Sequence, residues 1–243
     1  MNSYTETFIL RSAQCDMYGA WKPSAILECM QETAGVHSTS FGLDRDTMLN
    51  MGVAWVLSRV TVQMNRVPRT GEAITVETYP TPNRHLFYPR THIFRDGEGS
   101  QLGCANSLWV LMDIQERKIT QHAQVLARVP NDPALKSPIG LPATVRPLDG
   151  EGVTAALQPL FTDYDVNRHV NNTKYLDWCL NALGMETLQN RCIADFTVNY
   201  DAEILPGMPV TTELKVQADA FTFRGLDGGK QHFAVKGTLQ NRP

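Results

Sequence analysis

The sequence predicts an α+β protein in which one design is used twice, each copy pairing a long helix with an antiparallel sheet. Three observations carry that reading. Asp16 to Gly35 aligns without a gap on Asp165 to Gly184, and both stretches run from an aspartate into apolar residues at helical spacing. Each is followed by β-branched, alternating segments: Arg59-Val60-Thr61-Val62 and Asp195-Phe196-Thr197-Val198, then Gly71 to Glu77 and Gly207 to Glu213. Near the end of each copy, Asp96-Gly97 and Asp227-Gly228-Gly229 carry the turn chemistry of a hairpin.

The first helix shows its stripe in Ile26, Leu27, Met30 and Ala34, with Pro23 in the first turn, where a missing N–H costs nothing. It is expected to end near Gly35. The second helix repeats the stripe in Tyr175, Leu176, Cys179, Leu180 and Leu183, and Gly184 stands where a C-cap glycine would. Between helix and strands the first copy is longer, which places extra residues around His37 to Met51. Pro130 to Gly152 is rich in proline and glycine and lacks periodicity, as a linker on the surface would be. The expected division is therefore 1–135 for the first unit, 136–152 for the linker and 153–243 for the second.

Composition narrows the function classes. With 42% hydrophobic residues in 243, either one large or two ordinary domains can bury a core. A formal charge of -3 shows no basic surplus, which argues against nucleic acid or an anionic membrane as the main partner. No apolar run is long enough to cross a bilayer, and Met1 to Thr7 lacks the basic and apolar parts of an export signal. The five cysteines, Cys15, Cys29, Cys104, Cys179 and Cys192, are scattered and form no CxxC pair, so a reducing cytoplasm is expected and neither disulfides nor zinc are called for. His37, His85, His92, His122 and His232 show no metal-ligand spacing, and Gly97, Gly99 and Gly103 lie in a hairpin rather than a phosphate loop; no cofactor is expected.

The richest chemistry lies in Asp163 to Asn172. Read as extended chain, Asp165, Asn167 and His169 share one face and lead into the second helix. Amides at a helix start favour a developing oxyanion, while neighbouring side chains can manage protons. The plainer alternative is capping, for which Asp and Asn are the usual residues. The first copy offers an internal control, with Asp16, Tyr18 and Ala20 at the matching positions. A helix can start there without the amide and imidazole, which favours chemistry in the second half and packing or binding in the first.

These residues resemble a known family. Asp165-Val166-Asn167-Arg168-His169-Val170-Asn171-Asn172-Thr173-Lys174-Tyr175 is similar to the active-site signature of acyl-ACP thioesterases, the plant plastid and bacterial enzymes that release fatty acids from acyl carrier protein. Gln31-Glu32-Thr33-Ala34, Trp55 to Arg59 and Ser107 to Met112 resemble that family's first half. The resemblance implies a tandem hot dog fold, two antiparallel sheets each wrapped around a central helix. It also implies a catalytic set of Asp165, Asn167, His169 and, through Tyr200-Asp201-Ala202-Glu203, Glu203. Val67 stands at the position matching Glu203 in the first half. Plant members commonly carry a cysteine directly after that glutamate; here Ile204 excludes a cysteine mechanism centred on it.

On this reading Glu203 activates water, with direct carboxylate attack the less favoured variant, Asp165 orients or polarises His169, Asn167 positions water or carbonyl, and amides of Val170, Asn171 and Asn172 serve the oxyanion. Met30, Met48, Met51 and Trp55 either line an acyl tunnel or pack in the core. Arg84, Arg90, Arg95, Lys118 and Lys136 either meet an acidic carrier protein or are solvated loop charges. Acyl carrier protein is the expected partner, a homodimer is left open, and acyl-CoA hydrolysis, a hot dog dehydratase and a non-catalytic acyl-binding module are the competing functions.

Overall fold

The computed structural model describes residues 2–242. The N-terminal half begins with strand β1 (Tyr4–Ile9), then helix α1 (Pro23–Ser40) and a short helix α2 (Arg45–Asn50). Strands β2 (Val53–Met64), β3 (Ala73–Pro80), β4 (Phe87–Asp96), β5 (Gln101–Asp113) and β6 (Lys118–Thr120) follow, closed by helix α3 (Ala123–Arg128). The C-terminal half repeats the series as β7 (Val153–Leu157), helix α4 (Lys174–Asn190), β8 (Arg191–Tyr200), β9 (Val210–Gln217), β10 (Ala220–Asp227) and β11 (Lys230–Asn241). Among the described residues it has no counterpart of α2, β6 or α3.

Where two sheets are expected, the strands form one. Their order is β1-β3-β4-β5-β2-β8-β11-β10-β9-β7, with β6 added to the end of β5. The halves join because β2 pairs with β8, antiparallel, from Arg59 opposite Asn199 to Gln63 opposite Asp195. At the centre Thr61 faces Thr197, its own counterpart in the repeat, with the two Oγ1 atoms 2.8 Å apart. A pseudo-twofold axis passes between them. The pairing also covers two long strands that would otherwise be open edges.

Each helix lies against its own half of the sheet. α1 buries Pro23, Ile26, Leu27, Met30, Thr33, Ala34 and His37, steps of three and four that keep one face inward. α4 does the same with Tyr175, Leu176, Trp178, Cys179 and Leu183. The helices touch where Ser24 Oγ donates to Asp177 Oδ1 at 2.5 Å, and their apolar faces merge into a core that runs through both halves. A second cluster of Leu43, Met48, Val53, Tyr88, Leu111 and Val125 lies beneath α2 and α3, so the extra residues of the first half have a core of their own.

Both helix ends differ from expectation. Gly35 is exposed inside α1, which continues to Ser40 because His37 extends the buried face; packing outweighs glycine's poor propensity. Gly184, at φ 79 and ψ 164, interrupts α4, and helical structure resumes to Asn190. Between Arg128 and Val153 there is neither helix nor strand. That stretch crosses the outer face of the sheet: Leu135 and Ile139 pack on Tyr79, Ile93 and Cys104, and the amides of Val145 and Leu148 donate to Asn199 and Thr222. Among the described residues no helix is long and apolar enough to cross a membrane.

Gly225 fixes a close approach in the C-terminal half. A Cβ there would run into the Phe233 ring, which stacks on Tyr175 at 4.0 Å and 7°. Gly225→Ala is expected to destabilise the protein by about 1–3 kcal/mol through overpacking. A urea titration should show a lowered midpoint; an unchanged one would contradict this packing.

Candidate active site

The polar run is a turn, not a strand. Tyr164 and Val170 bridge across its base, the Asp165 amide donates to His169 O at 2.9 Å, and the Arg168 amide donates to Asp165 O at 3.0 Å. The aspartate builds the turn: its Oδ1 accepts the Asn167 amide at 2.8 Å, the local bond for which Asp is favoured in turns. The first half folds the same way. Asp16 Oδ1 accepts the amides of Tyr18 and Ala20 at 2.9 and 3.0 Å, and the Asp16 amide donates to Ala20 O. The left-handed position is Gly19 there, at φ 82, and Arg168 here, at φ 64.

This symmetry revises the roles. Because both copies keep the aspartate for the turn, Asp165 is explained by local structure, whereas Asn167 and His169 are not. The Asp165 carboxylate makes no hydrogen bond to the His169 ring among the described residues; its second oxygen accepts from Asn167 Nδ2 at 3.4 Å. The group beside His169 is Glu203, with Oε2 at 3.4 Å from Nε2. A backbone bond from Val170 N to Ile204 O, 2.9 Å, brings the two loops together. Ile204 is fully buried and anchors the loop that follows β8. The buried His232 on β11 braces the other side, its Nδ1–H donating to Glu203 O at 2.8 Å.

Two residues that sequence reasoning missed come from the N-terminal half. Arg117, in the turn between β5 and β6, donates to Glu203 Oε2. Arg45, at the start of α2, donates to Asn167 Oδ1 at 3.3 Å. The longer spacing of the first copy signalled α2; nothing in the pattern singled out Arg117. The matching place in the first half is closed differently, with Arg242 paired to Asp16 at 2.7 Å and lying over the Tyr18 ring.

Among the amides expected to serve an oxyanion, Val170 and Asn171 are already spent on the carbonyls of Ile204 and Asp163. Only the Asn172 amide has no partner among the described residues. The Asn172 side chain accepts from Gln31 Nε2 of α1 at 2.6 Å. Tyr175 is buried below, and burial, then the charges of Asp165 and Glu203, push its hydroxyl well above the usual tyrosine range. It therefore stays a neutral donor.

Next to these groups a cavity of about 440 Å³ opens in the N-terminal half. Met48, Trp55, Tyr88 and Trp109 give its apolar wall, and Asn167 also lines it. Of the expected tunnel residues, Met48 and Trp55 line the cavity and Met30 and Met51 do not. Met30 is core, and Met51 packs on the second cluster beside α2. Arg90 is no surface charge: it is 7% exposed, reaches the cavity wall, and donates to His37 Nδ1 at 3.0 Å and Thr78 Oγ1 at 3.2 Å. Arg95 and Lys118 are held by Glu77 and Glu116.

Helix-wrapped sheets fused edge to edge, with imidazole, carboxylate and amide gathered in only one of them, define a double hot dog protein with one polar site. The acyl-ACP thioesterase N-terminal domain model matches residues 1–127, and the C-terminal domain model matches residues 148–237. The chain belongs to the acyl-ACP thioesterase family. An acyl-ACP thioesterase from Bacteroides thetaiotaomicron shares its fold with a TM-score of 0.88 at 24% identity, over 98% of each chain. The 12:0-ACP thioesterase from Umbellularia californica does so with 0.87 at 23% identity, over 100% of this chain and 98% of that one. The chloroplastic acyl-[acyl-carrier-protein] hydrolase FATB2 of Cuphea viscosissima is 25% identical over 213 residues, 82% of this chain and 52% of that protein. The chain spans only about half the length of that plant relative.

All five cysteines are free thiols. Four are buried, burial raises the Cys179 thiol, and Cys29 is pushed up to about 12 by burial and by Glu6 and Glu32. Iodoacetamide at neutral pH should therefore label the native protein far more slowly than the unfolded chain, which takes up five equivalents by mass spectrometry. Rapid native labelling of Cys29 or Cys179 would contradict their inertness.

Proposed function

We propose that this chain hydrolyses the thioester between a fatty acyl group and acyl carrier protein, releasing the free acid. The observation that carries the reading is the His169–Glu203 pair, 3.4 Å apart, beside an asparagine that also lines an apolar cavity. The similar proteins are named for that substrate, which supports the carrier protein as the handle.

In the proposed reaction the acyl chain lies in the N-terminal cavity and the thioester carbonyl reaches Asn167. Glu203 takes a proton from a water whose oxygen attacks the carbonyl carbon. The resulting oxyanion is met by the Asn167 amide group and the Asn172 backbone N–H. Collapse breaks the C–S bond, and the sulfur leaves as thiolate; an alkyl thiol with a pKa of roughly 8.5 needs little help to depart. His169, with Nε2 3.4 Å from Glu203 Oε2, keeps the carboxylate turned into the site. Asp165 holds the turn that presents Asn167, a positioning role and not attack.

A general base contributes on the order of a hundred to ten thousandfold in rate. Glu203→Gln should therefore lower kcat by about that amount in free-acid release from acyl-ACP, while circular dichroism stays native. Asp165→Asn, which preserves an oxygen acceptor for the turn, should lose markedly less. Equal losses in the two variants, or near wild-type turnover in Glu203→Gln, would overturn these roles.

A further inference from the structure

Two of the additions that break the pseudo-twofold symmetry end on the same cluster. α2 has no counterpart in the C-terminal half, and it carries Arg45 to Asn167. The β5–β6 turn has none either, and it carries Arg117 to Glu203. Both guanidiniums belong to the half without the catalytic set, and each reaches a different member of that set. We infer that Arg117 and Arg45 are positioning residues of the active site, supplied across the interface between the halves; the inference rests on the thioester hydrolysis proposed above.

The geometry gives each a definite task. Glu203 Oε2 is contacted by both Arg117 Nη2 and His169 Nε2, so Oε1 is left as the oxygen that faces water and takes its proton. Arg117 thus fixes which carboxylate oxygen acts and stops the side chain from turning. Arg45 acts on the asparagine. A guanidinium has only donors, so Asn167 must turn Oδ1 toward Arg45 and Nδ2 toward Asp165. The second Nδ2 hydrogen is then free for the thioester carbonyl. With the amide flipped, the carbonyl would meet an oxygen instead of a donor.

Stability does not account for the Arg117 pair. Its side chain is 62% exposed, and exposed ion pairs contribute little. Yet Arg117 is held at φ 53, a conformation unfavourable for a residue other than glycine. Asp113 enforces the turn by accepting the amides of Gln115 and Glu116 at 2.9 Å each, and β6 locks its far side against β5. A built turn with a strained tip aimed at the general base is explained by placement.

The test separates positioning from carrier docking by using two substrates, acyl-ACP and the same acyl group on N-acetylcysteamine. Arg117→Ala should lower kcat on the order of a hundredfold on both, the scale of a misplaced catalytic group, with KM little changed. Millimolar guanidinium should restore part of that rate, and Arg117→Lys should retain more than Arg117→Ala. Arg45→Ala should also lower kcat on both substrates. Loss confined to acyl-ACP, or seen in KM alone, would make Arg117 a docking residue and overturn the inference; so would undiminished kcat or an absence of guanidinium rescue. Were the wild-type protein to hydrolyse neither thioester, the proposed function itself would fail, which is a separate outcome from any variant effect.

Discussion

Everything in this molecule depends on the antiparallel pairing of β2 with β8. Thr61 and Thr197 face one another across it as the middle of five residue pairs that fuse two sheets into one surface. Backbone ladders are rigid and register-specific, since a slip by one residue would turn every side chain to the opposite face. The seam therefore sets the position of each half relative to the other closely enough for side chains to meet. Ser24 reaches Asp177, Gln31 reaches Asn172, and two arginines reach Asn167 and Glu203. A flexible linker between separate domains would not hold those distances.

Within that frame, the repeat shows how one loop is kept for its shape while its chemistry changes. Asp16 and Asp165 each accept the amide two residues on, Tyr18 and Asn167, in the same turn. In the first half the neighbouring positions are Tyr18 and Ala20, and Arg242 closes the place off; in the second they are Asn167 and His169, open beside Glu203. The N-terminal half diverged in the other direction. Its extra residues made a second cluster around Met48, Tyr88 and Leu111, and with it a cavity. One half thus holds an apolar cavity, and the other holds the polar cluster beside it.

Much of this was legible in the sequence, for physical reasons. The helix stripes, the hairpin turns and the repeat follow from period and turn chemistry, both local, whereas Glu203 was reached only through the family resemblance, because period and turn chemistry do not link it to Asp165, Asn167 and His169. The fusion of two sheets was not legible, because edge pairing between halves leaves no periodic trace in Thr61 or Thr197. The helix ends failed at Gly35 because a buried His37 outweighed a local propensity. Reading Asp163 to Asn172 as extended chain failed because side-chain bonds of Asp165 outweighed the alternation. Arg90 was taken for a solvated charge because nothing in its neighbours shows that β4 is covered on the side it faces. Arg117 and Arg45 reach Glu203 and Asn167 through contacts across the interface, which spacing along the chain does not encode.

The central claim is that the acyl chain and the chemistry belong to different halves and meet at Asn167 and Glu203. A crystal structure with an acyl-pantetheine analogue in which a methylene replaces the thioester sulfur tests it directly. The acyl chain is expected alongside α1, in contact with Met48 and Trp55. The ketone oxygen should bond to Asn167, with a water between its carbon and Glu203 Oε1. A chain lying along α4 in the C-terminal half, or a ketone remote from Glu203, would contradict it.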